Sequence, residues 1–344
     1  MKKTLIALAA LAAVGSSFAQ VTITGKLGIG VGKAASQTAA NSNTGNGLQT
    51  FDGDLTFAAK EDLGGGWSAT ASTAVQLRGR NDDAAAATVN GSQFRSRDSA
   101  IALVTPGGVL TMGSVESPTG FFRGPSYKDF LGTGFDNVNG PWDGKANIDY
   151  VRFMVPVGAF QLSAWYAEVG SGAGNAFVSG VSTKINAPIL MVNYAAGPIS
   201  AYADYTAFDA IKTPTATVDA LLKSNNRTRI GGQYNFGMAT VAFGYQTRDV
   251  LADQFYYGLV VPFGATTVNL SYGTRDAQKV NAAKGVAAAV ERTGTALQVQ
   301  YAFSKSTLAE VSYESYTGGG NVTNGNAKET DLSNGYRITL RKSF

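Results

Sequence analysis

The sequence predicts an all-β fold, an antiparallel transmembrane β-barrel of about sixteen strands, on three observations. Segments of about ten residues alternate apolar and polar side chains from one end of the chain to the other. The connections between them alternate too, one short and the next long. A secretory leader stands in front, and behind it no apolar run is long enough to cross a bilayer as a helix.

The leader comes first. Lys2 and Lys3 form a basic start, Thr4 to residue 14 a short apolar run, and Ser17 and Ala19 occupy the two positions a signal peptidase inspects. Residues 1–19 are expected to be cleaved, leaving residues 20–344 as a single barrel domain. Of the formal net charge of +4, two units leave with Lys2 and Lys3, and the remainder is too mild to point to nucleic acid. With no cysteine there is no disulfide framework, and with no histidine neither a Ser-His-Asp nor a Cys-His arrangement nor a His-ligated zinc can be built. No reaction and no cofactor are expected.

The strands follow in order. Val21, Ile23, Leu27, Ile29 and Val31 put the apolar residues of the first segment at odd positions. Phe160, Leu162, Ala164 and Tyr166 alternate with Gln161, Ser163 and Trp165; Ile230, Tyr234 and Phe236 alternate with Arg229, Gln233 and Asn235. Val241, Phe243 and Tyr245 continue the pattern, as do Val268, Leu270 and Tyr272, then Leu297, Val299, Tyr301 and Phe303, then Val311 and Tyr313. The last ten residues set Tyr336, Ile338, Leu340 and Phe344 against Arg337, Thr339, Arg341 and Ser343, one oily face and one wet, basic face.

Gly and Pro mark the short connections at 62–66, 105–108, 156–158, 197–198, 236–237 and 262–264, with Ser304, Lys305 and Ser306 forming another. The long ones, near 33–48, 79–93, 116–145, 170–183, 210–225, 276–291 and 317–333, have no apolar period. A sandwich or propeller also alternates, but needs neither turns of two lengths in rotation nor so regular an oily face. Closing the barrel satisfies every backbone group, as hydrocarbon demands. The last strand must then pair with the first, which places Phe344 in an aromatic girdle at the membrane edge.

By parity Lys26, Arg97, Arg152, Arg227, Arg229, Arg248, Arg337 and Arg341 point inward, with Asp204, Glu310 and Glu314 among the inward acids. Two apparent motifs fail. Gly25 to Ala34 is glycine-rich, but a phosphate loop needs Gly where Leu27 stands and Ser or Thr where Ala34 stands. Asp52 and Asp54 are two carboxylates without the further oxygens calcium requires.

The leader, the turn EDLGGG at 61–66, the terminal aromatic, and the strand–long loop–strand run from LTMGS to NIDYVRF together resemble the Gram-negative trimeric general porins, in particular their beta-proteobacterial branch. The resemblance spans the whole mature chain. It implies an outer-membrane barrel whose long third loop, from Glu116 to residue 145, folds into the lumen and narrows it. The constriction would then set Lys26, Asp54, Arg97 and Arg152 on the wall against Glu116, Arg123, Lys128, Asp129 and Asp136 on the loop. Relatives carry arginines where this chain has Asp54, Ala58 and Ser114, so part of the usual basic cluster is missing.

The expected function is a diffusion channel for small hydrophilic solutes and ions, modestly anion-preferring. A substrate-specific channel for carboxylates or phosphate, and a loop-mediated adhesin barrel, stay open. The expected partners are the lipid of the outer membrane, including lipopolysaccharide, and two further copies of the chain. All 15 tyrosines lie at Tyr127 or beyond, whereas the early strands are aliphatic or rich in Ala and Ser. Tyr belongs at lipid headgroups and small residues at close protein contacts, so the first strands are expected to form the interface of a homotrimer.

Overall fold

A computed structural model describes residues 20–33, 46–77, 94–117, 146–169, 185–207, 209–210, 226–249, 253–276, 291–317 and 333–344. The leader and the third long connection lie outside these residues.

The strands are β1 (Gln20–Lys33), β2 (Asn46–Gly64), β3 (Trp67–Leu77), β4 (Phe94–Thr105), β5 (Gly108–Ser117), β6 (Ala146–Val157), β7 (Phe160–Val169), β8 (Ile185–Ala196), β9 (Ile199–Thr206), β10 (Asp209–Ala210), β11 (Arg227–Asn235), β12 (Thr240–Arg248), β13 (Gln254–Phe263), β14 (Thr266–Arg275), β15 (Arg292–Ser304), β16 (Thr307–Thr317) and β17 (Ser333–Ser343). Each runs antiparallel to its neighbours, and β1 pairs with both β2 and β17, closing one sheet into a barrel.

The two residues of β10 continue β9 along β8 in an unbroken register, with Ile189 opposite Thr206 and Asn186 opposite Asp209. Pro188 accounts for the break between them. Its carbonyl accepts from the Ala207 N–H at 3.1 Å, but it has no N–H to return. The barrel therefore has sixteen strands, one of them interrupted.

Alternation sorts the faces as the sequence predicts. Val21, Ile23, Leu27, Ile29, Ile101, Phe153, Leu190, Phe243, Tyr257, Leu297, Tyr313 and Ile338 are exposed on the outside. Thr206, Arg229, Gln246, Gln298, Glu314 and Thr339, all of the opposite parity, are buried on the inside. Aromatic pairs stand near both rims of the outer face. Tyr234 and Phe236 (4.5 Å between ring centres), Tyr301 and Phe303 (5.1 Å) and Phe160 and Tyr194 (4.9 Å) flank the short turns. Tyr245 and Phe255 (4.7 Å) flank the connection between β12 and β13 at the other rim. Amphipathic rings at headgroup level are what the two interfaces of a bilayer select.

That β12–β13 connection departs from the short–long rotation. It spans only residues 249–253, although it lies at the long-loop end. The Asp253 carboxylate ties it back, accepting from Thr247 Oγ1 at 2.7 Å and Tyr245 Oη at 3.2 Å. Without Gly or Pro, nothing in the sequence marks it as a turn. The EDLGGG turn, by contrast, is built on glycine. Gly64, Gly65 and Gly66 have φ of 79°, 61° and 81°, and Asp62 Oδ1 accepts from the Gly64 N–H at 2.9 Å.

The seam between the first and last strands is complete to the final residue. Phe344 exchanges both backbone hydrogen bonds with Gly25, at 2.8 and 3.0 Å. Its ring lies where a side chain at Gly25 would project, 2.6 Å from a built Cβ. Farther along, a Cβ on Gly30 would stand 1.9 Å from the Ile338 carbonyl oxygen. Backbone cannot yield as a flexible side chain does, so Gly30→Ala is expected to destabilise the barrel by about 1–3 kcal/mol. Gly107→Ala, whose Cβ would meet nothing nearer than 3.9 Å, serves as the control. Urea midpoints of the two variants folded into vesicles test this; equal midpoints contradict it.

Candidate functional site

The inner wall is assembled by the same alternation, with one irregularity that adds to it. Between Gly28 and Ile29 the β1–β2 register shifts by one residue, so Phe51 has no partner of its own. This bulge turns the Phe51 ring inward over Gly32, with the Arg337 guanidinium 5.1 Å from the ring centre. A second shift, opposite Thr73 and Val75, falls in β4 around Arg97. Both irregularities border the charged residues of the wall.

Those charges alternate in sign along one row. Arg97 binds Asp54 at 2.5 Å; Lys26 Nζ stands 3.3 Å from Asp54 and 3.0 Å from Asp52. Arg341 reaches Asp52 at 3.3 Å and Glu310 at 3.9 Å, and Arg337 donates to Glu310. The row thus crosses the seam, joining β4, β2, β1, β17 and β16. The half from Arg97 to Lys26 faces open space, with the Lys26 side chain 37% and that of Arg97 28% exposed, whereas Arg337 and Glu310 at the other end are nearly buried.

On β6, Arg152 stands over the Trp165 ring of β7, 4.9 Å from its centre, and Tyr150 packs against the same indole at 5.1 Å. Across the barrel, Arg227 and Arg248 are directly opposite each other on β11 and β12, with Arg229 opposite Gln246. Arg229 Nε donates to both oxygens of Asp204 at 2.9 Å, and Arg227 donates to Thr206 Oγ1 at 3.2 Å. These arginines are buried, and Tyr202 lies over Gly231 beside them. Neutral rungs continue the wall. Asn269 donates to Gln298 at 2.7 Å, and the hydroxyls of Tyr256 and Ser271 meet at 3.2 Å.

The wall residues named from the sequence divide accordingly. Lys26, Asp54 and Arg97 are brought into contact, whereas Arg152 lies apart with Trp165. Glu116 is a strand residue of β5 opposite Asn147 instead of the start of a loop. Arg123, Lys128, Asp129 and Asp136 lie outside the described residues. Ser114 does not belong to the wall. It shares the parity of exposed Met112, faces Ser99 across the β4–β5 ladder, and lies on the outer face, so an arginine missing there takes no charge from the lumen. The row's partners Asp52, Arg337 and Arg341 were not gathered into one site from the sequence. A usable signal existed: Asp52 and Asp54 are two apart in a strand and share a face. Among the described residues no group of three or more His, Cys, Asp or Glu could hold a metal ion.

A closed sixteen-strand barrel, oily outside and charged inside, defines an outer-membrane channel protein. The family model for Gram-negative porins matches residues 5–341, and the chain belongs to that family. Solved structures share its fold. An anion-selective porin from Comamonas acidovorans superposes with a TM-score of 0.66 at 20% identity, over 95% of this chain and 100% of that one. OmpT, an outer membrane protein of Vibrio cholerae, gives 0.63 at 15%, over 95% and 98%. A triple mutant of the Rhodopseudomonas blastica porin gives 0.60 at 14%, over 94% and 100%. No curated protein matches in sequence.

The buried pair on β9 and β11 makes a direct test of the wall's energetics. Asp204→Ala, leaving Arg229 buried without this carboxylate, is expected to cost about 3–5 kcal/mol, whereas Asp204→Leu with Arg229→Met is expected to be close to neutral. Urea titration of the refolded barrel separates the two. Equal losses in both variants contradict the argument.

Proposed function

We propose that the protein is a passive, water-filled diffusion channel for small hydrophilic solutes and ions, with a modest preference for anions. The observation that carries this reading is the barrel's inner wall, where buried charged and polar side chains recur from β9 to β17 and an ion-paired row crosses β4, β2 and β1, while the outer face is apolar. Channel function needs no reacting group, and the lumen supplies field and width. Among the described residues, the eight inward bases named from the sequence stand against the inward acids Asp52, Asp54, Asp98, Asp204, Glu310 and Glu314. A lumen walled by low-dielectric protein focuses the resulting positive field. The similar fold of the anion-selective Comamonas porin supports the same sign. In this reading Lys26, Asp54, Arg97 and Arg152 are the wall of the constriction, and the third connection's Arg123, Lys128, Asp129 and Asp136 supply its other side, whereas Glu116 shares the outward parity of Met112 and Ser114 on β5.

A channel specific for anionic solutes is the second reading, favoured by the group Arg227, Arg229 and Arg248 on one patch of wall. Single-channel recordings distinguish the two: a large current that does not saturate supports diffusion, and block by micromolar phosphate or carboxylate supports specificity.

The sign of the preference is tested by the reversal potential in a KCl gradient. The wild type is expected to favour chloride, with an effect that shrinks as salt shortens the screening length from about 8 Å at physiological strength. Arg97→Glu and Arg152→Glu are each expected to shift the potential toward potassium. A cation-preferring wild type overturns the sign, and no response to either substitution moves the constriction elsewhere.

The reading includes a homotrimer that meets through the early strands. On the outer face of β2 to β5, a groove of about 570 Å³ is floored by Ala59 and Ala71 and walled by Phe57, Ile101 and Met112. Small residues between larger ones allow another barrel to approach closely. None of β1 to β5 contains Tyr, whereas exposed tyrosines recur on the outside from β7 onward. Ala71→Arg, which places a charge in the groove, is expected to yield monomers in mild detergent. A wild type that is monomeric by light scattering removes the interface altogether.

A further inference from the structure

We propose that Asp52 and Asp54 set the strength of the pore's ion preference, by neutralising and positioning the cations of the wall row; this rests on the channel reading above. Three observations converge. The two carboxylates share one face of β2, and a bulge between them and the outer end of the strand fixes that face toward the lumen. Each touches two bases, Asp54 holding Arg97 and Lys26, and Asp52 holding Lys26 and Arg341. They are also the row's accessible acids, 20% and 18% exposed, whereas Glu310 is 2% exposed.

The consequence follows from counting charge along the row. Lys26, Arg97, Arg337 and Arg341 contribute four positive charges, and Asp52, Asp54 and Glu310 contribute three negative ones. A row dense in arginine and lysine therefore presents a single net positive charge. Its field on a passing ion is governed less by how many bases it holds than by which carboxylates remain. The carboxylates also act through position. An Arg97 guanidinium held on Asp54 lies against the wall, and Lys26, shared between two acids, is fixed between them. Removing either acid both unmasks a cation and frees it to lean into the lumen.

The test compares chloride-to-potassium permeability ratios, from reversal potentials across planar bilayers, for the wild type, Asp52→Asn and Asp54→Asn. Each substitution is expected to raise the ratio about fivefold, because one unit charge acting through about 8 Å of water changes the local concentration of each ion by about twofold, in opposite senses. Asp54→Glu, which restores the charge, is expected to bring the ratio back; a merely structural role for Asp54 would not move the ratio in this charge-dependent way. Lys26→Met is expected to lower the ratio, so that if Asp54→Asn does not fold, Asp52→Asn and Lys26→Met still shift in opposite directions. A conducting wild type whose ratio neither substitution of an aspartate alters overturns this inference alone. A wild-type preparation that conducts no ions overturns the channel reading and this inference with it.

Discussion

A backbone in hydrocarbon must find every hydrogen-bond partner within the protein, and for a sheet that requirement is met only by closure. The seam between β1 and β17 is where closure is achieved, and much of the sequence near both ends is arranged around it. Glycines at 25 and 30 let the last strand approach where a Cβ would collide with the Phe344 ring or the Ile338 carbonyl. The pairing runs to Phe344, whose amide and carbonyl are both engaged by Gly25. The break in the ladder at Pro188 conforms as well. Pro188 withholds an N–H, and the chain resumes the same register two residues beyond.

Closure also dictates the chemistry of the inside. Once the sheet curls, alternation sends every second side chain into a confined lumen, where charges lie close and low-dielectric walls strengthen their interactions. Bases and acids from neighbouring strands then pair across the ladder, and the row from Arg97 to Arg337 is the result. It runs over the seam, so the charged residues of the wall also bridge the strands that closure must join. The bulge at Phe51 serves both ends: it shifts the register beside Asp52 and delivers a ring beneath Arg337.

Much of this was legible in the sequence because a half-buried strand writes its faces in alternate letters. The period of two predicted which of Lys26, Leu27, Arg229, Ile230, Arg337 and Ile338 face in or out, and Gly-rich turns located the near rim. What escaped was whatever departs from that period. The connection at 249–253 is tied by an aspartate instead of glycine, so it carries no turn signal. Parity also fails to carry a position over from a relative when the local frame differs. The resemblance sets Ser114 where relatives carry a wall arginine, yet its pairing with Ser99 puts it outside. The row itself depends on long-range neighbours, such as Arg341 and Asp52 at opposite ends of the chain, whose meeting only the closed register determines.

The two faces are thereby free to specialise separately around the same ring of strands. Early strands are smooth and small-sided outside yet densely ion-paired inside, as Ala59 and Ala71 stand in the strands beside Asp54 and Lys26. Later strands carry Tyr257, Tyr272 and Tyr313 outside and Arg229, Gln254 and Glu314 inside. Because neighbours in sequence project to opposite sides, a substitution at one position alters what the barrel touches or what field it carries, seldom both. The exceptions are the bulges and the seam glycines, where a residue's place sets the register for its whole strand. At Phe51, whose ring lies beneath Arg337, and at Gly30, where a Cβ would meet the Ile338 carbonyl, closure leaves the barrel least freedom to change.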